Sequence, residues 1–226
     1  MYRSLAELNS AAIECNYCLR LRKYCVQVAR IKRKQFRNWQ YWGKPLPGFG
    51  DPKARLLILG LAPAAHGGNR TGRMFTGDGS ASFLMAALHK FNFANQAISE
   101  RIGDGLILKD AYMTAIVRCA PPKNKPSRKE ISLCQQYWTE ELRLLKNLRV
   151  VLALGRVAFD TYVRYLKAQG VTTTFHFHHG AFYELPSPYP ALVTSYHPSR
   201  QNTQTGKLTM EMLHSVFRNI LLFLAS

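Results

Sequence analysis

The sequence predicts a three-layer α/β/α sandwich with a central four-stranded, mostly parallel sheet and an N-terminal helical extension. Three observations predict it. Four short runs, Arg55–Leu61, Ala111–Val117, Arg149–Leu154 and Ala191–Ser195, have near-continuous apolar centres, as strands covered on both faces do. Segments of helical pattern separate these runs, the arrangement that gives right-handed parallel crossovers. At 226 residues and 47% hydrophobic content, the chain can bury a sizeable core within one domain. We read residues 1–226 as that domain, with a helical segment at 1–50 and the α/β/α core at 51–226.

Residues 4–42 read as helical, amphipathic at first and then strongly basic through Arg30-Ile31-Lys32-Arg33-Lys34. Pro45 and Pro47 end that region, and Gly48-Phe49-Gly50-Asp51-Pro52 forms a turn. The first strand runs into Gly60–Asp78, where five glycines in nineteen residues let the backbone approach a ligand closely. A helix follows near Ser80–Phe91. Ser127-Arg128-Lys129-Glu130 is a capping-box pattern, in which the Ser and Glu side chains satisfy each other's exposed backbone N–H groups. It opens a helix reaching about Asn147. Gly155 starts another, to about Gln169. Phe175-His176-Phe177-His178-His179 alternates as a half-exposed strand does, a simpler reading than a metal site. The last helix carries Leu208, Leu213, Phe217, Ile220, Leu221 and Leu224 on one stripe.

Charge narrows the function. Thirty-one basic against thirteen acidic residues leave a net charge of +18, a self-repulsion that points to a polyanionic partner. The cations are spread over Arg20–Lys34, Arg118–Arg128 and Arg200–Lys207, which favours a basic face on a folded body. Nucleic acid fits this better than a membrane surface. No apolar run approaches the roughly 18 residues of a membrane span. Met1–Glu7 lacks the apolar centre of a secretory leader, so a cytoplasmic location is expected.

Five cysteines in a reducing compartment need an account other than disulfides. Cys15-x-x-Cys18, with Cys119 and Cys134 far downstream, suits a four-thiolate site, and zinc and an iron–sulfur cluster both accept that set. The wide Cys119–Cys134 separation tilts toward a cluster. Four unrelated buried thiols are the plainer alternative. Cys25 reads as packing.

Two polar segments leave strands at the carboxyl edge of the expected sheet, where α/β proteins bind ligands. Asp78, in Thr76-Gly77-Asp78-Gly79, can cap the following helix or act as a base or electrostatic stabiliser. His197, in Ser195-Tyr196-His197-Pro198-Ser199-Arg200-Gln201-Asn202, follows the last strand. Arg200, Gln201 and Lys207, with Ser199 beside them and Arg70 and Arg73 in the first loop, are candidates for gripping a nucleic-acid strand. Neither the phosphate-loop ending nor the dinucleotide glycine spacing is present, which argues against a nucleotide-binding enzyme of small-molecule metabolism.

Gly60–Asp78, Val117-Arg118-Cys119-Ala120-Pro121-Pro122-Lys123-Asn124-Lys125-Pro126, Tyr196–Thr209 and Tyr41–Asp51, together with the cysteine spacing, closely resemble the type 5 uracil-DNA glycosylases of bacteria and archaea. The resemblance implies excision of uracil, and also of hypoxanthine and other damaged bases, by hydrolysis of the N-glycosidic bond. It implies a [4Fe-4S] cluster on Cys15, Cys18, Cys119 and Cys134. It makes Asp78 the residue assisting the attacking water, His197 a contact of the departing base, Asn124 a pocket residue and Phe75 a stacking partner. Ala62, His66 and Asn69 are expected beside the base. Leu61-Ala62 and Ala115 stand where related branches carry polar groups, so base discrimination should be loose. No lysine is placed as an imine-forming nucleophile, so a monofunctional enzyme is expected, acting as a monomer on nucleoid DNA in a prokaryotic cytoplasm. The rival is a non-catalytic iron–sulfur protein that binds DNA as a damage sensor.

Overall fold

The computed structural model describes residues 1–226. In chain order it contains α1 (Leu5–Ile13), α2 (Leu19–Ile31), β1 (Phe49–Gly50), β2 (Leu56–Gly60), α3 (Gly68–Thr71), α4 (Gly79–Lys90) and β3 (Ala111–Ala115). There follow α5 (Arg128–Leu144), β4 (Val150–Leu154), α6 (Arg156–Ala168), β5 (Phe182–Tyr183), β6 (Ala191–Ser195), α7 (Arg200–Gln204) and α8 (Met210–Ala225).

The sheet has six strands in the order β1-β3-β2-β4-β6-β5. The four predicted strands are its centre and pair in parallel, with Leu57 between Tyr112 and Val151. The expected count of four needs correcting, because β1 and β5 add antiparallel edges and make the sheet mixed. Each edge strand is two half-buried residues long, too short to leave a periodic trace. The alternating Phe175–His179 segment forms no strand. It is tied to β5 by Tyr183, whose hydroxyl accepts from the His176 N–H and donates to the His176 carbonyl.

Alternate strand residues face opposite layers. Leu56, Ile58, Leu152 and Val193 pack with Leu84 and Leu88 of α4 and Leu213, Phe217 and Ile220 of α8. Leu57, Leu59, Val151 and Leu192 pack with residues of α1, α2, α5 and α6. The helices start where their caps say: the Ser127–Glu130 box is formed at α5, and Thr209 caps α8. The expected helix to residue 42 is the other correction. Helix α2 stops at Lys32, whose φ of 56° leaves the helical region, and only a single 3-10 turn, Lys34–Phe36, follows before Gly48.

Chain order places the ligand crevice. The loop after β2 leads to α4 on one face, whereas β4, its neighbour, leads to α6 on the other. Two adjacent parallel strands whose connections part to opposite faces open a gap at their carboxyl ends.

Candidate active site

A cavity of about 550 Å³ fills that gap. Its wall combines Leu61–Ala64, Met74, Phe75 and Asp78 of the first loop, Ala115, Asn124, and His197 and Ser199–Gln201 of the last loop. The two polar segments singled out in the sequence therefore meet around one space.

Asp78 both caps a helix and lines the cavity. Its Oδ1 accepts the Ala81 N–H of α4 at 2.9 Å, and a Cβ on Gly67 would overlap its Oδ2. Only glycine fits against that oxygen. Burial raises the carboxyl above its usual range, opposed by the N–H groups of Ala81 and Ser80 and by the Arg70 charge. A desolvated carboxylate on a rigid helix start is a stronger base than one in water.

The His197 imidazole has lost most of its solvent, which pulls its pKa down to about 4. The ring is thus neutral at pH 7 and carries one N–H donor. Its backbone carbonyl accepts from Ser199 N–H at 2.7 Å and from Asn202 Nδ2 at 2.8 Å, which fixes the turn that presents it. Phe75 has φ 46°, a costly conformation for an aromatic residue. Its ring lies over β2 so closely that a Cβ on Gly60 would be 2.7 Å from Cζ. Asn124, at φ 55°, follows Lys123 at φ 54° in the turn after β3. Several strained residues around one cavity are what a functional site holds.

Residues 47–221 match the family model described as the uracil DNA glycosylase superfamily. A type-5 uracil-DNA glycosylase of Thermus thermophilus is 50% identical over 204 residues, 89% of this chain and 90% of that protein. One from Mycobacterium bovis is 45% identical over 216 residues, 95% of this chain and 80% of that protein. One from Pyrobaculum aerophilum is 42% identical over 206 residues, 91% and 87% respectively. The chain belongs to the uracil-DNA glycosylase superfamily.

Within this superfamily member, the sequence candidates divide sharply. Ala62, Phe75, Asp78, Asn124, His197, Ser199, Arg200 and Gln201 reach the cavity wall. Four others support it from behind. Asn69 is fully buried and donates to the Cys25 carbonyl at 3.3 Å, tying α3 to α2. Arg70 packs against both Phe36 and Trp39, each ring 4.0 Å away, and donates to the carbonyls of His66 and Gly77. Arg73 is buried in an ion pair with Asp104 at 2.6 Å and donates to Thr76 and Ser99. His66 bonds the Tyr41 hydroxyl through Nδ1 at 2.9 Å, and burial lowers its pKa. Lys207 is exposed on the last loop, 5.2 Å from the Tyr196 ring, outside the cavity wall. Ser199 also caps α7 through the Asn202 N–H. Sequence reasoning missed Arg33, which lines the cavity. Nothing separates it from the other cations of its run except the turn at Lys32.

The four predicted ligand cysteines gather where α1, α2, α5 and the exit of β3 meet. Burial, then Cys119 and Cys15, raise the Cys18 thiol to about 11. Burial, with Cys119 and Cys18 adding, raises Cys134 to about 12, although Arg118 opposes it. Cys18 and Cys134 thus feel the charge of others in the set. The Arg118 N–H also donates to Cys134 Sγ at 3.3 Å. No trio of His, Cys, Asp or Glu side chains is arranged to hold a single metal ion.

Proposed function

We propose that the cavity receives a uracil nucleotide turned out of DNA and that the chain hydrolyses its N-glycosidic bond. The convergence of Asp78 and His197 on one cavity carries this reading, in a chain half identical to a named type-5 uracil-DNA glycosylase. A base inside a duplex cannot be reached, so the nucleotide must leave the stack, at a cost of a few kcal/mol. The net charge of +18 supplies phosphate affinity that offsets it.

As the bond breaks, the C1′–N electron pair leaves with the base and positive charge builds on the sugar, as in glycoside hydrolysis. The Asp78 carboxylate stabilises that charge and takes a proton from the water whose oxygen bonds C1′. The neutral His197 N–H donates to the base oxygen on which negative charge collects. A neutral donor suits this task, because it stabilises the charge without surrendering a proton early. Phe75 stacks on the base and Asn124 borders it. The products are the free base and an abasic site. No lysine lines the cavity, in keeping with a monofunctional enzyme that leaves the strand intact.

Leu61, Ala62 and Ala115 give that part of the wall no side-chain hydrogen-bonding group. A wrong base therefore leaves no side-chain group of that part unpaired, and we read the enzyme as also accepting hypoxanthine and other damaged bases. The thiols of Cys15, Cys18, Cys119 and Cys134, gathered in one apolar cluster with the Arg118 N–H donating to Cys134 Sγ, fit a [4Fe-4S] cluster, whose sulfurs such N–H groups support. When bound, the cluster would supply a cross-link between helices and sheet. We read the chain as a monomer acting on nucleoid DNA in a prokaryotic cytoplasm. No helix is long and apolar enough to cross a membrane.

The test is incubation with a uracil-containing oligonucleotide, followed by alkaline cleavage at abasic sites. Uracil-dependent strand scission after alkali is expected. Its absence, with DNA binding intact, overturns the proposal in favour of a damage-sensing protein.

A further inference from the structure

A second surface concavity has no lining residue in common with the base cavity. It is a groove of about 740 Å³ along α2, lined among others by Arg22, Lys23, Val26, Gln27, Arg30 and Ile31, with no carboxylate in its wall. Lys23 and Arg30 are exposed, and neither takes part in an ion pair. Ile31 is 73% exposed. Cations without partners beside exposed apolar surface are costly to the free fold and suit a chain of phosphates and sugars.

The groove and the site are lined by neighbouring stretches of the chain. Arg30 lines the groove and Arg33 lines the base cavity, and the positive-φ turn at Lys32 redirects the chain between them. From Lys23 to Ile31, the last residue of α2, the rise along the helix is about 12 Å, and Arg33 lies just beyond the turn. At 3.4 Å per nucleotide of one strand, that covers about four nucleotides. We propose that the α2 groove holds the phosphates of the DNA strand leaving the base cavity on one side, with Arg33 at the junction and Lys23 and Arg30 beyond it. The proposal rests on the glycosylase reading and adds to it a one-sided footprint.

Fluorescence anisotropy with single-uracil oligonucleotides tests it, the flank being lengthened from zero to eight nucleotides on the 5′ or the 3′ side only. In one polarity affinity should rise over about the first four nucleotides and then level. The variant Lys23→Ala/Arg30→Ala should lose that gain. Removing two phosphate contacts should flatten the log-affinity against log-salt slope by about 2 and weaken binding roughly 60-fold at 0.1 M salt, converging with the parent near 1 M. The charge-matched control is Lys90→Ala/Lys109→Ala, whose exposed cations sit at the far ends of α4 and the β3 approach. A slope and flank dependence in the Lys23/Arg30 variant equal to the control's would overturn the proposal. Uracil left in place by a parent protein that still shows the one-sided footprint would overturn the glycosylase reading instead.

Discussion

The two loops that form the cavity treat their polar residues in opposite ways. The first, residues 61–78, turns its cations inward: Arg70 packs against two aromatic rings and Arg73 is held by Asp104. The last, residues 197–207, leaves Arg200, Gln201 and Lys207 exposed. The first loop spends its charge on rigidity and contributes chemistry through the carboxylate it positions. The last loop keeps its charge for a partner. A count of basic residues near a site therefore says little about DNA contact until the acceptors of each one are known.

The contrast is most sharply broken at Asp78. Asp78→Asn retains a good helix cap, because Asn serves at that position nearly as well as Asp, but removes the base. Single-turnover excision of uracil should fall by about 10² to 10⁴, while the melting temperature and DNA affinity stay close to the parent's. An undiminished rate would assign the water to another group. Gly67→Ala should come next. Its Cβ would displace the Asp78 carboxylate, and a shift of that kind can cost about 10²-fold in rate, read in the same assay.

The arginines separate the loops on a different axis. Arg73→Ala should cost about 1–3 kcal/mol of stability in urea unfolding, because the buried Thr76 and Ser99 hydroxyls lose their donor and Asp104 loses its ion pair, keeping only the N–H groups of Glu100, Arg101 and Leu106. The pair holds the Asp104 carboxyl well below its usual range. Its contribution is therefore full above the ordinary carboxylate pKa and is lost only as pH falls through the lowered one. Arg200→Ala should change stability by less than about 0.5 kcal/mol and show instead as weaker, less salt-sensitive DNA binding. Equal stability losses at the two positions would erase the distinction. The smallest effect concerns pH. With His197 down at about 4, its ring stays neutral from pH 5 to 8, and excision should show no step near the ordinary histidine value. The acid limb should follow the raised Asp78 carboxyl, with rate lost as pH falls and the base is protonated. A rise or fall centred near pH 6.5 in chemistry-limited rates would show that His197 titrates as a solvated histidine.

The four central strands were legible because parallel strands covered on both sides read as unbroken apolar runs. The caps at Asp78 and Ser127 were legible because a cap is a local pattern of side chain and spacing. Both site loops followed from their strands. What escaped was decided by distant or conformational partners. Arg73 meets Asp104 thirty-one residues away, and Arg70 meets the rings of Phe36 and Trp39 far upstream, so neither sequence context shows that the charge is already used. Arg33 escaped for the reverse reason, since a left-handed lysine turn has no compositional mark. The edge strands are held by two residues each, below any periodicity.

Because the proposed base is also the residue that caps α4, catalytic geometry is built on the same hydrogen bonds that start a helix of the core. The carboxylate cannot drift without fraying α4, and α4 cannot fray without misaiming the carboxylate. Heat should then extinguish turnover and unwind that end of the helix at one temperature, so that activity itself becomes a gauge of local order.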